Sequence, residues 1–202
     1  MSVSTAIPLE GAEKQAKIYS LQDYLKRENT ALHKHEFYNG QIIRMPGGTF
    51  KHNEIANNIA TALRQSVKNL EIKYRVTNSD QKIYIPSLNI ALYPDALVVF
   101  EKPEFWQNSK SLITNPLLIV EVASKSTKNY DRGEKFMHYR TLPSFKEYVL
   151  IEQNETKVEV WFRERENSWL ITTETDLAQN IVLQSLKVAI SMADIYENTD
   201  NE

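Results

Sequence analysis

Two apolar stretches with one carboxylate each determine the fold class of this chain: YPDALVVF at residues 93–100 and LLIVEV at residues 117–122. Runs of this kind predict strands that are buried on both faces of a sheet. A carboxylate such as Asp95 or Glu121 is costly to bury there unless it is paired or holds a metal. On neighbouring strands the two acids could bind a hard cation, which is the chemistry of metal-dependent phosphodiester cleavage.

The alternative for both acids is a structural role. Each carboxylate could end a strand in solvent or accept backbone hydrogen bonds, and for a random pair of acids this is the more common case. The neighbours Val120 and Val122 count against it for Glu121, because a carboxylate between two buried valines needs a partner.

Length and composition bound the class of protein. The chain has 202 residues, enough for one domain with a substantial core. It contains no cysteine, which excludes disulfides and thiolate metal sites and fits a reducing cytoplasm. No apolar run approaches the roughly 20 residues that span a bilayer, and the N-terminus has no secretory h-region. We therefore expect a cytoplasmic protein with no membrane partner.

The net charge constrains the partners only weakly. The formal value of −2 argues mildly against a constitutive DNA-binding protein, because such proteins are usually basic. It does not exclude a nuclease, since an acidic metal site offsets basic residues elsewhere and the relevant basic surface is local.

The N-terminal half contains signals for helices and a hairpin. SLQD at residues 20–23 is typical of a capping box that begins a short helix. Residues 35–45 predict a hairpin, because the Asn-Gly pair at residues 39–40 favours a tight two-residue turn. A helix is expected over residues 50–69, where apolar side chains recur at helical spacing on one face: Ile55, Ile59, Ala62, Leu63 and Val67.

The rest of the chain is rich in short strand signals. Strands are expected at residues 72–77, 82–85, 95–100, 117–122, 148–152, 157–162 and 169–173. Residues 102–115 predict a loop, and residues 130–141 predict a helix that ends before Pro143. The pattern of residues 188–196 does not decide between a helix and a strand.

This order of elements predicts an α/β (α+β) fold, with a mixed central β-sheet flanked by helices and an N-terminal helix and hairpin. We expect a single domain over residues 18–197. The ends, residues 1–17 and 198–202, are expected to be disordered.

Two lysines, Lys125 and Lys135, are candidates for the positively charged partner of Glu121. In a strand the residue two places after Glu121 lies on the same face, and a lysine there would be its usual partner. Ala123 occupies that position. Lys125 has the same parity, although the polar residues around it indicate that the strand has ended. Lys135 lies one helical turn after Asp131, where an ammonium could orient an attacking water or stabilise charge on a phosphate. From spacing alone, an ordinary surface Asp131–Lys135 pair is favoured.

Two other residues are candidates for the same site. Glu36, in HKHEFYNG at residues 33–40, could be a third acid near the metal, although a solvated hairpin residue is the default. His52 stands at the start of the long helix and could reach a phosphate. A role as a helix cap or surface residue is the more common one for a histidine there.

In combination these segments resemble the Uma family ("Uma-two") of restriction endonucleases, within the PD-(D/E)XK nuclease superfamily. The resemblance extends over residues 18–196. It rests on an ordered set of motifs: EFYNG at residues 36–40, His52, YPDALV at 93–98, VEVASKST at 120–127, Asp131 with Lys135, and KEYVLI at 146–151. Relatives more often have Ser-Pro-Ser where this chain has ASKS at residues 123–126, a departure expected to change the turn rather than the chemistry.

The resemblance implies a fold and a role for each residue. The fold would be a restriction-endonuclease-like core, and the cofactor Mg²⁺, with Mn²⁺ as a substitute. Asp95 and Glu121 would be the metal carboxylates, with Glu36 as an additional acid at the metal. The motif lysine would be displaced to the following helix, which maps it onto Lys135. Together these four would be the catalytic residues.

The same resemblance implies a nucleic-acid substrate. It predicts a metal-dependent DNA endonuclease, acting as a homodimer. The positive field for DNA phosphates would come from Lys125, Lys128, Arg132, Arg140 and, more weakly, His52. Two alternatives stay open: a catalytically silent nucleic-acid-binding or interaction module on the same fold, and an enzyme that uses the metal site on a small phosphate or nucleotide.

Overall fold

The computed structural model of the protein describes residues 17–125 and 127–199. The helical elements are α1 (Leu21–Glu28), α2 (Phe50–Val67), α3 (Lys128–Tyr130), a π-helical stretch (Asp131–Lys135), α4 (Phe136–Tyr139) and α5 (Met192–Ile195). The strands are β1 (His35–Tyr38), β2 (Gln41–Arg44), β3 (Tyr74–Asn78), β4 (Lys82–Ile85), β5 (Ile90–Leu92), β6 (Ala96–Phe100), β7 (Leu112–Ile113), β8 (Pro116–Ala123), β9 (Glu147–Glu152), β10 (Val158–Arg165), β11 (Ser168–Glu174), β12 (Asn180–Leu183) and β13 (Val188–Ser191).

A six-stranded sheet forms the centre of the fold, in the order β11-β10-β9-β8-β6-β3. Strands β8 and β9 run parallel, and the other neighbours are antiparallel. Strands β6, β8 and β9 are buried along most of their length, as their apolar runs predict. The predicted mixed central sheet is confirmed.

Apolar cores cover both faces of this sheet. One core packs α2, through residues such as Ile59, against Val120 of β8. The other packs Tyr139 of α4 against Ile119 of β8. Since neighbouring residues of a strand face opposite sides, Glu121 shares the face of Ile119, toward α4.

A second sheet, in the order β2-β1-β5-β4-β7, carries the N-terminal hairpin. The hairpin turns at Asn39 and Gly40, whose φ angles of 43° and 98° are both positive, as a type I′ turn requires. Helix α1 packs on this sheet, where Tyr24 stacks on Phe37 with ring centroids 5.3 Å apart. This packing fixes the position of β1, and therefore of Glu36.

The local predictions differ from the structure mainly in short strands. The capping box is present, because Ser20 Oγ accepts from Asp23 N and the Asp23 carboxylate accepts from Ser20 N. Residues 188–196 contain both a strand, β13, and a helix, α5. The structure adds β5, β12 and β7, the last inside the segment predicted to be a loop. These strands have two to four residues, too few to show a period in sequence.

Most of the two ends expected to be disordered, residues 1–16 and 200–202, lie outside the described residues. Thr199 is buried, and its Oγ1 donates a hydrogen bond to Tyr196 O at 2.8 Å. The single domain over residues 18–197 stays a prediction. Within the part of the chain that the structure describes, no helix is long and apolar enough to cross a membrane.

The hairpin turn gives a prediction about stability. Gly40→Ala is expected to lower the free energy of unfolding by about 2 kcal/mol, because positive φ disfavours a side chain. The added Cβ would also lie 2.6 Å from Ile18 Cγ2. Urea denaturation measures the change.

Gly133→Ala is the matched control for this change. Its added Cβ meets no atom within 4 Å, and alanine favours helical backbone by up to about 1 kcal/mol over glycine. The control should therefore be as stable as the natural chain or more stable. A Gly40→Ala protein of unchanged stability would contradict the assigned turn.

Candidate active site

A cleft of about 880 Å³ opens at the edge of the central sheet, where β8 ends and β6 begins. The four residues predicted to be catalytic, which come from three strands or their ends and from the π-helical stretch, all line it: Glu36, Asp95, Glu121 and Lys135. Asp131 and His52 line the same cleft. The fold thus brings together residues that are far apart in sequence.

Asp95 lies in the turn into β6, beside the end of β8. Its N–H donates to Val120 O at 3.1 Å, which continues the antiparallel register of β6 and β8 and places Asp95 beside Glu121. Asp95 Oδ2 accepts from Val122 N at 2.7 Å, and Oδ1 lies 3.0 Å from His52 Nε2. Both oxygens of this carboxylate therefore have protein partners.

The contact between Asp95 and His52 changes the pKa of both groups. Burial alone would raise the pKa of Asp95, but the hydrogen bond and charge of His52 hold that pKa below its ordinary value. Burial alone would lower the pKa of His52, and Asp95 raises it instead. The helix cap is Thr49, whose Oγ1 accepts from His52 N at 3.1 Å. The His52 side chain therefore does not cap the helix, and its imidazole contacts Asp95 instead.

Glu121 and Lys135 form a buried ion pair at the centre of the site. Lys135 Nζ lies 2.8 Å from Glu121 Oε1, which also accepts from Tyr139 OH at 2.9 Å. Glu121 is only 3% exposed and Lys135 only 5%. Lys135 also donates to Tyr93 O at 3.3 Å. Of the two candidate lysines, the structure places Lys135 against the second acid, whereas Lys125 is exposed on the cleft wall.

Glu36 reaches the cleft from the second sheet. Its Oε1 lies 3.8 Å from Lys135 Nζ, and its Oε2 accepts from Tyr38 OH at 2.7 Å. The Tyr38 hydroxyl is also hydrogen bonded to the Tyr130 hydroxyl. Oε1 is buried and has no hydrogen-bond partner among residues 17–125 and 127–199. This buried position counts against the alternative of a solvated hairpin residue.

The helix expected over residues 130–141 begins earlier, at Lys128, and its centre is π-helical. A π-helical turn contains more residues than an α-helical turn and often marks a functional site. Here it leaves both Asp131 and Lys135 buried, with Asp131 Oδ1 4.0 Å from Lys135 Nζ. Tyr148 OH anchors the stretch by donating to Asp131 O at 2.9 Å. The two residues are therefore not the surface pair that spacing alone favours.

The cleft holds more negative than positive charge. Four of its five carboxylates, Glu36, Asp95, Glu121 and Asp131, are buried or half-buried beside Lys135 and His52, and the exposed lining residues add Glu134, Arg44 and Lys125. When all the acids are ionised, one negative charge stays uncompensated with His52 protonated and two with His52 neutral. Burial, together with the charges of Asp95 and Asp131, raises the pKa of Glu121 well above its usual range despite the opposing effect of Lys135. Burial also raises the pKa of Asp131. Burial alone would lower the pKa of Lys135, but the carboxylates raise it, so the ammonium keeps its proton.

The residues predicted to contact nucleic acid lie in different places. Lys125 lines the cleft. Lys128 and Arg132 are paired with Glu152, at 3.0 Å and 3.3 Å, and Arg132 is paired with a second acid as well. Arg140 lines a separate cavity of about 600 Å³ beside the start of β9, away from the cleft at the other end of that strand. Lys125 and the His52 ring are thus the predicted contacts that the fold places at the carboxylates.

Three residues of the site go beyond the prediction. Tyr139 hydrogen bonds to Glu121, and its place four residues after Lys135 on one helical face could have indicated it. The carbonyl oxygen of Tyr93 accepts a hydrogen bond from Lys135, and Tyr93 lies two residues before Asp95. Gln153 follows β9 and lines the cleft while almost fully buried, and no sequence pattern indicates it.

The carboxylate oxygens of the cleft are the kind of ligand that a hard cation prefers. Among residues 17–125 and 127–199, no three His, Asp or Glu side chains are already arranged to hold a metal ion. However, Mg²⁺ usually keeps several waters and needs only one or two protein carboxylates. Asp95 and Glu121 could supply these. The buried Oε1 of Glu36, which has no hydrogen-bond partner among the described residues, is a further oxygen in a cleft with excess negative charge.

Comparisons with known proteins find relatives over most of the chain. Two uncharacterized proteins of Synechocystis sp. are similar. One, sll1609, is 36% identical over 77% of this chain and 87% of its own length. The other, slr1290, is 30% identical over 88% of this chain and 90% of its own length.

A solved structure shares the fold. It is the crystal structure of "a putative nuclease belonging to DUF820" from Anabaena variabilis, with a TM-score of 0.68. The match covers 88% of this chain and 97% of that chain, at 16% sequence identity, so it bears on the fold alone. A family model matches residues 21–193. On that match the resemblance seen in the sequence is confirmed, and the chain belongs to the Uma2 family, described as "Putative restriction endonuclease".

Proposed function

We propose that this protein is a metal-dependent endonuclease that hydrolyses phosphodiester bonds of DNA, with Mg²⁺ as the cofactor and Mn²⁺ as a substitute. The observation that carries the proposal is the surplus of negative charge in the cleft, where the four carboxylates that are buried or half-buried, those of Glu36, Asp95, Glu121 and Asp131, lie around Lys135 and His52. Membership of the Uma2 family supports the nuclease chemistry. A divalent cation would compensate the surplus charge and would recruit phosphate oxygens to the acids.

In this proposal Asp95 and Glu121 hold the cation, and Glu36 is the additional acid. Bound there, Mg²⁺ would supply an activated water and would neutralise charge on the scissile phosphate. Hydrogen bonds within the protein already orient the two carboxylates. Val122 N and His52 hold Asp95, and Tyr139 holds Glu121. Such preorganisation avoids reorientation of the carboxylates during the reaction.

Lys135 acts as an ammonium and not as a base. Its raised pKa means that it carries a proton throughout the neutral range and can only donate hydrogen bonds. An ammonium 2.8 Å from Glu121 can orient the attacking water or stabilise negative charge that grows on the phosphate. Lys125, exposed on the cleft wall, is positioned to contact the phosphate backbone.

A second candidate function is supported by the same contacts. Both oxygens of Asp95 and one oxygen of Glu121 already have protein partners, so these carboxylates are held without a metal. A site of this kind could belong to a catalytically silent module that binds nucleic acid or another partner on the nuclease fold. Calorimetric titration with Mg²⁺ separates the two, because a silent module of this kind would bind no metal. The homodimer and the cytoplasmic location stay predictions.

The first prediction concerns the two metal carboxylates. Asp95→Asn and Glu121→Gln should each lower the rate of plasmid nicking at least about a hundredfold, because a metal site contributes several kcal/mol of transition-state stabilisation. The assay uses supercoiled plasmid and single-stranded DNA with Mg²⁺ or Mn²⁺, beside an EDTA control. Asp80→Asn is the matched control, an exposed acid that pairs with Lys34 outside the cleft.

Two results would count against these assignments. Cleavage retained in both Asp95→Asn and Glu121→Gln would overturn the site. Hydrolysis of mononucleotides with no cleavage of either DNA would favour the alternative of a small phosphate substrate.

The second prediction separates the two lysines. Lys135→Met should reduce kcat at least about tenfold with little change in KM, because the ammonium acts on charge that develops in the reaction. Lys125→Met should weaken DNA binding instead, and should reduce the slope of log affinity against log salt by about one. Steady-state kinetics and salt titrations of both variants measure this difference. The reverse pattern would make Lys125 the catalytic lysine.

The third prediction concerns pH. The pKa values of Glu121 and Asp131 in the folded, metal-free protein lie above their ordinary values, so the folded state binds the extra protons. Stability of the metal-free protein should therefore fall as pH rises through these raised pKa values. Mg²⁺ competes with the protons, so the rise in Tm that it produces should grow from mildly acidic to mildly alkaline pH.

Thermal unfolding with and without Mg²⁺ over this range tests the prediction. In Glu121→Gln the pH dependence of the Mg²⁺ effect should be largely lost. A Mg²⁺ effect on Tm that stays constant with pH would contradict binding at Glu121.

A further inference from the structure

Gln153 lines the cleft, and the oxygen of its side-chain amide is buried without a hydrogen-bond partner in the part of the chain that the structure describes. The residue is only 7% exposed. Its Oε1 is buried and unpartnered, and neither amide atom has a hydrogen-bond partner among residues 17–125 and 127–199. Its main chain is fixed, because Gln153 N donates to Ala123 O at 3.0 Å.

An amide in this state is unfavourable for stability. Leaving a buried polar group unpaired costs about 1–3 kcal/mol, and native proteins pair the great majority of such groups. Thr77 and Ser144 also have buried, unpartnered side-chain oxygens, but neither lines the cleft. Gln153 and Glu36 do line it, so a bound molecule could satisfy them.

The register of the central sheet places Gln153 at the edge of the sheet where the acids lie. Strands β8 and β9 are parallel, with Glu121 opposite Leu150 and Ala123 opposite Glu152. Gln153 comes next after Glu152, so the chain leaves β9 there, at the same edge of the sheet at which β8 ends after Glu121. A substrate held at the carboxylates would extend along this edge.

We propose that Gln153 is a substrate-contacting residue that binds the nucleic acid through its side-chain amide, an inference that rests on the proposed function. An amide offers an N–H donor and an oxygen acceptor. The N–H suits a phosphate oxygen. The buried Oε1 needs a donor, and DNA phosphates and deoxyriboses have none. The donor is therefore an amino or imino group of a base, or a water that the bound phosphate carries.

This role predicts that stability and binding respond in opposite directions. Gln153→Met keeps the approximate size of the side chain and removes the unpaired amide, so thermal stability should be unchanged or higher. Affinity for DNA should fall about tenfold, the effect of one lost hydrogen bond in a desolvated cleft. Thr77→Val, which removes an unpartnered hydroxyl outside the cleft, is the matched control. It should leave DNA affinity unchanged.

The experiment measures Tm and the Kd for fluorescein-labelled single- and double-stranded DNA in the full chain and both variants. Ca²⁺ replaces Mg²⁺, since it accepts the same oxygen ligands and slows cleavage. Probes of different base composition separate the two possible donors. An equal loss of affinity on all probes indicates a contact to phosphate and its water, and a loss on one composition indicates a base contact.

The outcomes are distinct. An unchanged or higher Tm together with weaker DNA binding in Gln153→Met, and unchanged binding in Thr77→Val, supports the proposal. A clear drop in Tm would mean that the amide has a structural role, and an unchanged Kd would mean that it does not contact the substrate; either result overturns the inference. If the natural chain binds Ca²⁺ but no DNA, the proposed function itself fails, and this inference fails with it.

Discussion

The ion pair between Lys135 and Glu121 is the contact on which the rest of the site depends. It joins the π-helical stretch to the central strand β8 at a point that is almost inaccessible to water. A buried ion pair adds little net stability, whereas removing one partner leaves an unpaired buried charge at a cost of several kcal/mol. The pair is part of a charged cluster in which one ammonium holds three mutually repelling carboxylates, those of Glu36, Glu121 and Asp131, close together.

The fold keeps this cluster in place by bringing separate elements to one edge. Strand β8 supplies Glu121, the turn into β6 supplies Asp95, and the second sheet supplies Glu36 through its hairpin strand. Each acid is held by a neighbour that belongs to the scaffold, such as Val122 N for Asp95 and Tyr38 for Glu36. Because these supports come from strands with two-sided burial, the carboxylates stay near one another despite their repulsion. The uncompensated charge that results is a physical reason for the cleft to attract a cation.

Most of the scaffold could be predicted from sequence because its signals are local. The apolar runs of β6 and β8, the Asn-Gly turn at residues 39–40 and the capping box at Ser20 each depend on residues that are close together in the chain. The short strands β5, β7 and β12 could not be predicted, since their pairing partners lie far away in sequence and two to four residues show no period. The role of Lys135 was likewise ambiguous, because spacing cannot distinguish a surface pair with Asp131 from a buried contact.

By itself, the sequence determined the class of fold, the family, and the two acids, Asp95 and Glu121, that stand out in or beside apolar strand runs. It did so because burial on both faces of a strand demands an apolar run, in which a carboxylate is conspicuous. Only the tertiary structure decided which lysine meets those acids and that His52 contacts Asp95 instead of capping its helix. The unpartnered amide of Gln153 also became visible only there. These features depend on distances between elements far apart in the chain, and such distances are set by packing.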